Sequence, residues 1–340
     1  MERAFKNMRS KTGVWMGQVG KTALVTGANS GIGFEAAAQL AEAGWRKVIL
    51  ACRSREKGDV ARAQLVERVG SDPFDTLVMD TSLIASATAA ADTLRDRSER
   101  IDFLVLNAGA SHNEASFNDD GFEVTYASTL IGHHILTMRA LQDGLLSSTA
   151  RIVIAGSEGA RGNMPGMNVH DIHKIATDSF GGDMVAAIEA MFRLKVDVQK
   201  PFSNMSEYVT AKMLVAWWTT ALSRKLPAGM TVNAVSPGGV ADTGFARHAS
   251  AVMRIFMVPM MKLVGGLMGM NGTVGQAASR YVEAEKYGAD ANGNFYATEH
   301  KSKTVGPVAI QTWPEFFGDR DGQEAALSAL VNLTGVAVPA

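Results

Sequence analysis

The sequence predicts an α/β fold, a doubly wound parallel sheet carrying an inserted segment and a C-terminal cap. Three observations predict it. A short apolar run, Thr22 to Thr26, feeds directly into three glycines, Gly27, Gly31 and Gly33, and then into an Ala-rich stretch, Phe34 to Ala43. Strand-like and helix-like segments then alternate, the pattern of a parallel sheet covered on both faces. The fourth strand, Ile101 to Leu106, is apolar nearly throughout, as a central parallel strand must be.

The elements follow in order. Residues 1–20 read as a loosely held leader, and residues 21–340 as a single domain. After the first helix, Gly44 provides a stop, and Val48 to Ala51 is the second strand. Arg55 to Val69 is a charged helix, and Thr76 to Met79 the third strand. Ser82 is placed to cap a helix running to about Ser98. A long helix covers roughly Asp119 to Leu141, and Arg151 to Ala155 is the fifth strand. Ser206 to Lys225 is a strong helix, Thr231 to Val235 the sixth strand, Asn294 to Ala297 a seventh and Glu324 to Leu333 a last helix. Two segments break the rhythm. Residues 161–203 form an insertion far longer than a strand-to-helix connection needs, with Val185 to Val198 helical. Residues 245–275 are Met-rich and are expected, with the insertion, to form a cap at the carboxyl ends of the strands. A core stripe, a flexible lid over a greasy substrate and a peripheral membrane contact all fit the Met-rich run.

Composition sets bounds. The chain has 340 residues, 46% hydrophobic and 20% charged, with a net charge of −1. That is a globular profile with no basic surplus to argue for nucleic acid. One cysteine, Cys52, excludes an internal disulfide and a Cys-rich metal site. Cys52 reads as a small buried residue. No secretory signal follows the N-terminal basic residues, and no run reaches the ~18 apolar residues of a spanning helix. The expectation is cytoplasmic. His170 and His173 lie close together in the insertion, but no other clustered ligand joins them, so no metal is expected.

The glycine loop sits between a strand and a helix start. Glycine permits a sharp turn and close approach, and free N–H groups with the positive dipole end suit a phosphate. At the end of the second strand stand Arg53 and Arg55, with no acid. An acid there holds a ribose 2′-hydroxyl, whereas an Arg accommodates a 2′-phosphate, so the cofactor expected is NADP, with Arg53 the contact. Tyr208 and Lys212 lie four apart on a helix and share a face. A cation beside a phenol favours the phenolate, which makes the pair a candidate proton donor and acceptor. Ser157 closes the fifth strand, where a hydroxyl can bond a substrate oxygen as charge develops.

Together, Thr26-Gly27-Ala28-Asn29-Ser30-Gly31-Ile32-Gly33, Asn107-Ala108-Gly109, Ser157, Tyr208-x3-Lys212 and Ser236-Pro237-Gly238, in that order, resemble the short-chain dehydrogenase/reductase family over about Lys21 to Gly244. Within it, the loop, the Ala51-Cys52-Arg53 strand end and the long insertion look most like the retinol dehydrogenase and protochlorophyllide reductase branch. The resemblance implies a Rossmann-like fold and NADP(H)-dependent oxidoreduction of a carbonyl or alcohol. Tyr208 would be the acid or base, Lys212 its partner and ribose contact, and Ser157 the substrate-oxygen contact. It also implies cofactor contacts from Gly27, Asn29, Ser30, Gly31, Ile32 and Gly33, and from Asp80 and Thr81 at the adenine. Asn107, Ala108 and Gly109 would pass beside the cofactor, and Pro237, Gly238, Val240 and Thr243 would lie by the nicotinamide. Asp80 reads equally as a helix-start acid. One departure stands out: Thr129 occupies the place of an Asn that in the family holds a proton-relay water, and His133 or His134 could substitute or simply pack. The expected partner is a small molecule, bulky and apolar. Reduction of a C=C bond and a nucleotide-sensing protein with a degraded site remain as alternatives.

Overall fold

The computed structural model describes residues 20–163, 166–240, 272–301 and 303–339. Its centre is an eight-stranded sheet in the order β3-β2-β1-β4-β5-β6-β7-β8. The strands are β1 Thr22–Thr26, β2 Lys47–Cys52, β3 Phe74–Val78, β4 Ile101–Leu106, β5 Leu146–Ala155, β6 Thr231–Val235, β7 Phe295–Thr298 and β8 Val308–Ile310. Neighbours pair in parallel from β3 to β7, and β8 runs antiparallel on the β7 edge. The chain moves outward from β1 to β3 and then returns to place β4 beside β1. That reversal opens a crevice at the carboxyl ends of β1 and β4, the position where ligands bind in open α/β sheets.

Both faces of the sheet are buried, because alternate residues point to opposite sides. Ala23 and Val25 pack on one face with Ala37 and Leu40 of α1 Gly31–Glu42. Leu24 enters the opposite core with Leu94 of α3 Ile84–Asp96 and Ile135 of α5 Gly132–Gln142. The helix α2 Arg55–Val69 covers β2 and β3. A one-turn α4, Val124–Tyr126, leads into a π-helical turn at Ala127–Ile131 and then α5. The inserted helices are α6 Ile172–Phe180 and α7 Met184–Phe192, and α8 Asn204–Ser223 follows them. Next come α9 Val274–Ala284, packed on α1, and α10 Arg320–Thr334, packed on α8 and α7. The helix α8 is buried on nearly every side, from Val209 to Trp218, as a helix apolar all round should be.

Several expectations change. The Ser82 hydroxyl bonds Asp80 instead of capping, and the α3 N-terminus uses Asp120, whose Oδ2 accepts from Ile84 N at 2.9 Å. The expected helix from Asp119 begins at Val124, capped by Glu123. The insertion does not rise as a separate cap. Ile175, Ile188, Met191 and Phe192 join the core on the α8 face, because their apolar stripes have α10 and α8 to bury against. Its helices are Ile172–Phe180 and Met184–Phe192, in place of one from Val185 to Val198. The C-terminal end of the Met-rich segment is the start of α9, against α1. The leader and the Met-rich run at 241–271 lie outside the described residues. Among the described residues no helix is long and apolar enough to cross a membrane.

Candidate active site

The first wall of the crevice is the glycine loop. Gly27 turns with φ +66°, and a Cβ there would meet Ala108 Cα at 3.2 Å. A Cβ on Gly33 would lie 2.5 Å from both Asn107 Nδ2 and Gly27 O. Both glycines are therefore required by close approach. Gly31 also has positive φ, +58°, but a Cβ there would meet nothing within 4 Å, so it borders open space. Ser30 holds the N-cap position of α1 without a side-chain cap bond. The free N–H groups of α1 thus face a space that a pyrophosphate fits. Asn29 and Ile32 flank it, half-buried.

The turn after β4 is tied to the loop by a buried chain of bonds. Asn107 Nδ2 donates to Thr26 O at 3.0 Å, and Ala108 N donates to Thr26 Oγ1 at 3.0 Å. His133 spans from Thr26 Oγ1, 2.9 Å from its Nε2, to Thr129 O, 2.9 Å from its Nδ1. The carbonyl can only accept, so Nδ1 carries the proton and Nε2 accepts from Thr26. Burial pushes His133 down to about 3. His134 is likewise internal, bonded to Trp218 Nε1 and Val336 O. Both histidines pack; neither reaches the crevice as a relay.

At the end of β2, Arg53 is exposed and has no bonded partner among the described residues, whereas Arg55 leans on Thr76 Oγ1 at 3.4 Å. The free guanidinium is the one suited to a phosphate. Cys52 is buried, and burial pushes its thiol up to about 11, so it is no nucleophile. Asp80 Oδ1 accepts from Ser82 N and Oγ at 2.9 and 2.7 Å, within the turn ahead of α3, and does not cap the helix. Buried Thr81 uses its carbonyl on Gly132 N at 2.9 Å.

Ser157, Tyr208 and Lys212 converge. Ser157 leaves β5 in extended backbone, and its Oγ accepts from Gly159 N at 3.1 Å. The Tyr208 phenol lies beside the Ser157 hydroxyl, close enough for that hydroxyl to favour its ionised form. Lys212, one turn along α8, lies 5.8 Å from the Tyr208 ring centroid and donates to Ala155 O at 2.8 Å. The electrostatics differ from the sequence expectation. Burial, reinforced by the charge of Glu158, raises Tyr208 above the usual phenol value; the Ser157 hydroxyl opposes this. Burial also lowers Lys212 to about 8. The phenol is therefore held protonated in the protein alone. Gly109 brings the chain past this point: a Cβ there would lie 3.6 Å from Thr129 Oγ1 and 3.9 Å from Lys212 Nζ. Thr129 Oγ1 is buried and has no hydrogen-bond partner among the described residues, and it sits on the π-helical turn.

The far wall is Ser236-Pro237-Gly238-Gly239-Val240, after β6. Gly238 has φ +84°, and Val240 bridges Gly272. Thr243 lies outside the described residues. Two buried carboxylates here carry no signal in the sequence. Glu158 accepts from Arg280 of α9, Thr298 of β7 and Ser236. Glu207, beside Tyr208, accepts from Tyr126 OH at 2.7 Å and Gln199 Nε2 at 2.8 Å, with His170 Nε2 at 3.0 Å. His173 pairs instead with Asp319 at 2.6 Å. Among the described residues no group of side chains could hold a metal ion.

Comparison with known proteins agrees with this geometry. The family described as short chain dehydrogenase matches residues 21–189. Human retinol dehydrogenase 13 is 27% identical over 303 residues, covering 87% of this chain and 83% of that protein. A crystal structure of an uncharacterized protein from Mycobacterium paratuberculosis superposes with a TM-score of 0.66 at 19% identity, over 94% of this chain and 96% of that one. A short chain dehydrogenase from Burkholderia cenocepacia, solved with NADP, gives 0.57 at 23% identity, over 82% and 96%. A glycine-lined crevice faced by adjacent Tyr and Ser side chains, with a Lys one turn on, is thus set in a shared fold. The chain belongs to the short-chain dehydrogenase family, on its retinol dehydrogenase-like branch, an oxidoreductase family that acts on alcohols and carbonyls with NAD(P).

Proposed function

We propose that this chain is an NADP(H)-dependent oxidoreductase that transfers a hydride between the nicotinamide and the carbonyl or alcohol of a bulky apolar small molecule in the cytoplasm. The observation that carries the reading is the convergence of Tyr208, with the Ser157 hydroxyl beside it, and Lys212 one turn away, its Nζ 5.8 Å from the phenol ring. The bound dinucleotide supplies or takes up the hydride. The glycine loop, Asn29, Ser30 and Ile32 hold its pyrophosphate side, and Arg53 its 2′-phosphate. Asp80 and Thr81 border the adenine side. Asn107, Ala108, Gly109, Pro237, Gly238 and Val240 border the nicotinamide side.

Tyr208 keeps its proton because burial disfavours the phenolate. It is therefore poised to donate that proton to a carbonyl oxygen when the reaction runs as a reduction. Ser157 gives a second hydrogen bond to the same oxygen, where negative charge develops. Lys212, held by Ala155 O, keeps a cation beside the phenol and reaches the ribose. Thr129 offers a buried hydroxyl that, like Lys212 Nζ, borders Gly109, and the proton on Tyr208 would be replenished through it. The NADP of the Burkholderia structure and the retinol dehydrogenase name of the human relative support cofactor and substrate class.

Tyr208→Phe tests the reading. It should lower kcat for NADPH-dependent reduction of apolar aldehydes by about a thousandfold, in the range of lost general acid catalysis. NADPH affinity should change less than about threefold, since no phosphate contact is lost. A kcat within about tenfold of the wild type contradicts the assignment.

A further inference from the structure

Glu158 directly follows Ser157, on the turn that leaves β5. It is a carboxylate with a side chain only 5% exposed. Oε1 accepts from Arg280 Nη1 at 3.1 Å, Thr298 N at 3.2 Å and Thr298 Oγ1 at 3.0 Å. Oε2 accepts from the hydroxyl of Ser236. That hydroxyl in turn accepts from Gly238 N at 3.2 Å. Arg280 spreads its fork further: Nη1 onto Ser236 O at 3.1 Å, Nη2 onto Thr298 Oγ1 at 2.9 Å and Gly306 O at 3.2 Å. A Cβ on Gly238 would meet Thr304 O at 2.5 Å and Arg280 Nη1 at 3.0 Å, so the turn closes tightly on the guanidinium. A buried ion pair is poor evidence of stabilisation by itself. This one is hydrogen-bonded at both carboxylate oxygens and both terminal guanidinium nitrogens, and its bonds tie the turns after β5 and β6 to β7 and to Gly306.

We propose that Glu158 and Arg280 are positioning residues that lock the Ser157 turn and the Ser236-Pro237-Gly238 turn into one unit, so the substrate-side hydroxyl and the nicotinamide-side loop keep a fixed spacing. The proposal rests on the oxidoreductase reading above. It adds that nucleotide affinity is set partly from behind the turn, by groups that touch neither nucleotide nor substrate. The carboxylate also has an electrostatic consequence. Arg161, Arg280, Tyr208 and Tyr281 are the titratable groups around it, and its charge works against ionisation of Tyr208.

Glu158→Gln in the full chain tests this. It keeps the shape and removes the charge. Binding of NADPH, followed by its fluorescence, should weaken about tenfold, the scale of one charged hydrogen bond. The midpoint of the kcat–pH profile should move to lower pH, because Tyr208 ionises more readily. Ser236→Ala, a smaller change, removes only the hydroxyl between Glu158 and Gly238 and should weaken NADPH binding severalfold without moving the pH midpoint. A part that is only structural would lower the thermal midpoint of the nucleotide-free protein and leave both readouts unmoved. Unchanged NADPH affinity in folded Glu158→Gln, or in folded Ser236→Ala should the first fail to fold, overturns the proposal. Failure of the catalytic reading shows separately, as near-wild-type turnover in Tyr208→Phe.

Discussion

Lys212 has an ordinary value of 10.5 in the unfolded chain and about 8 in the folded one, lowered by burial. Between those pH values the unfolded chain holds the extra proton, so stability rises with pH. Below pH 8 both states are protonated and the full penalty of a buried cation is present. Relative to Lys212→Met, the wild type should therefore gain on the order of 3 kcal/mol as pH climbs from about 8 to about 10.5. Denaturant melts of the nucleotide-free proteins across that range measure it, and a constant difference would contradict the burial argument. Arg53 supplies a second prediction at this scale. Arg53→Ala should weaken NADPH binding ten- to a hundredfold, roughly one forked charged interaction, and leave NADH nearly unchanged; equal losses for both nucleotides would remove Arg53 from the phosphate. The Tyr208–Lys212 pair was legible because both members lie one helical turn apart. Glu158 and Arg280 were not, because they are 122 positions apart and nothing local marks an acid after a strand as buried. The raised value of Tyr208 was hidden for the same reason, since desolvation is a tertiary quantity.

At the level of elements, Gly132 links two of them. It begins α5 after the π-helical turn, and its N–H donates to Thr81 O at 2.9 Å. A Cβ there would lie 2.5 Å from that oxygen and 2.6 Å from Thr81 Cα. Backbone cannot swing aside as a long side chain can, so Gly132→Ala should destabilise by about 2 kcal/mol or more. Chemical denaturation reads this, and a loss under about 0.5 kcal/mol would show that α5 shifts freely. Strands β1, β4 and β6 and helix α2 were readable to the residue or nearly so, because apolar runs between turn residues leave little choice. The helix α9 escaped notice although Thr273 and Gln276 form a capping box, since its start abuts the Met-rich run. The three-residue edge strand β8 carries too short a pattern to read. The start of the long helix was misplaced because Asp119 and Asp120 resemble caps, whereas Glu123 takes the bonds from Thr125 N and Tyr126 N.

Across the whole molecule, the order of strands follows from the alternation of elements together with right-handed crossovers, and the crevice follows from the order of strands. Thr26, Asn107, Ser157 and Ser236 each stand at or just past the carboxyl end of a different strand, and before any coordinates it was the resemblance of their motifs, in that order, to a known family that joined them in one site. What alternation could not give was how the insertion packs. Its apolar stripes found partners in α8 and α10, and the segment became part of a helix layer. The central claim is that one crevice brings a protonated phenol and a hydride donor to the same carbonyl. NADPH carrying deuterium at the transferred C4 position, incubated with an apolar aldehyde, tests it most directly. Mass spectrometry should find one deuterium on the carbinol carbon of the alcohol formed by the wild type, and Tyr208→Phe should form that alcohol about a thousandfold more slowly. An alcohol without the label, or a labelled alcohol from the Phe variant at the wild-type rate, would contradict the account.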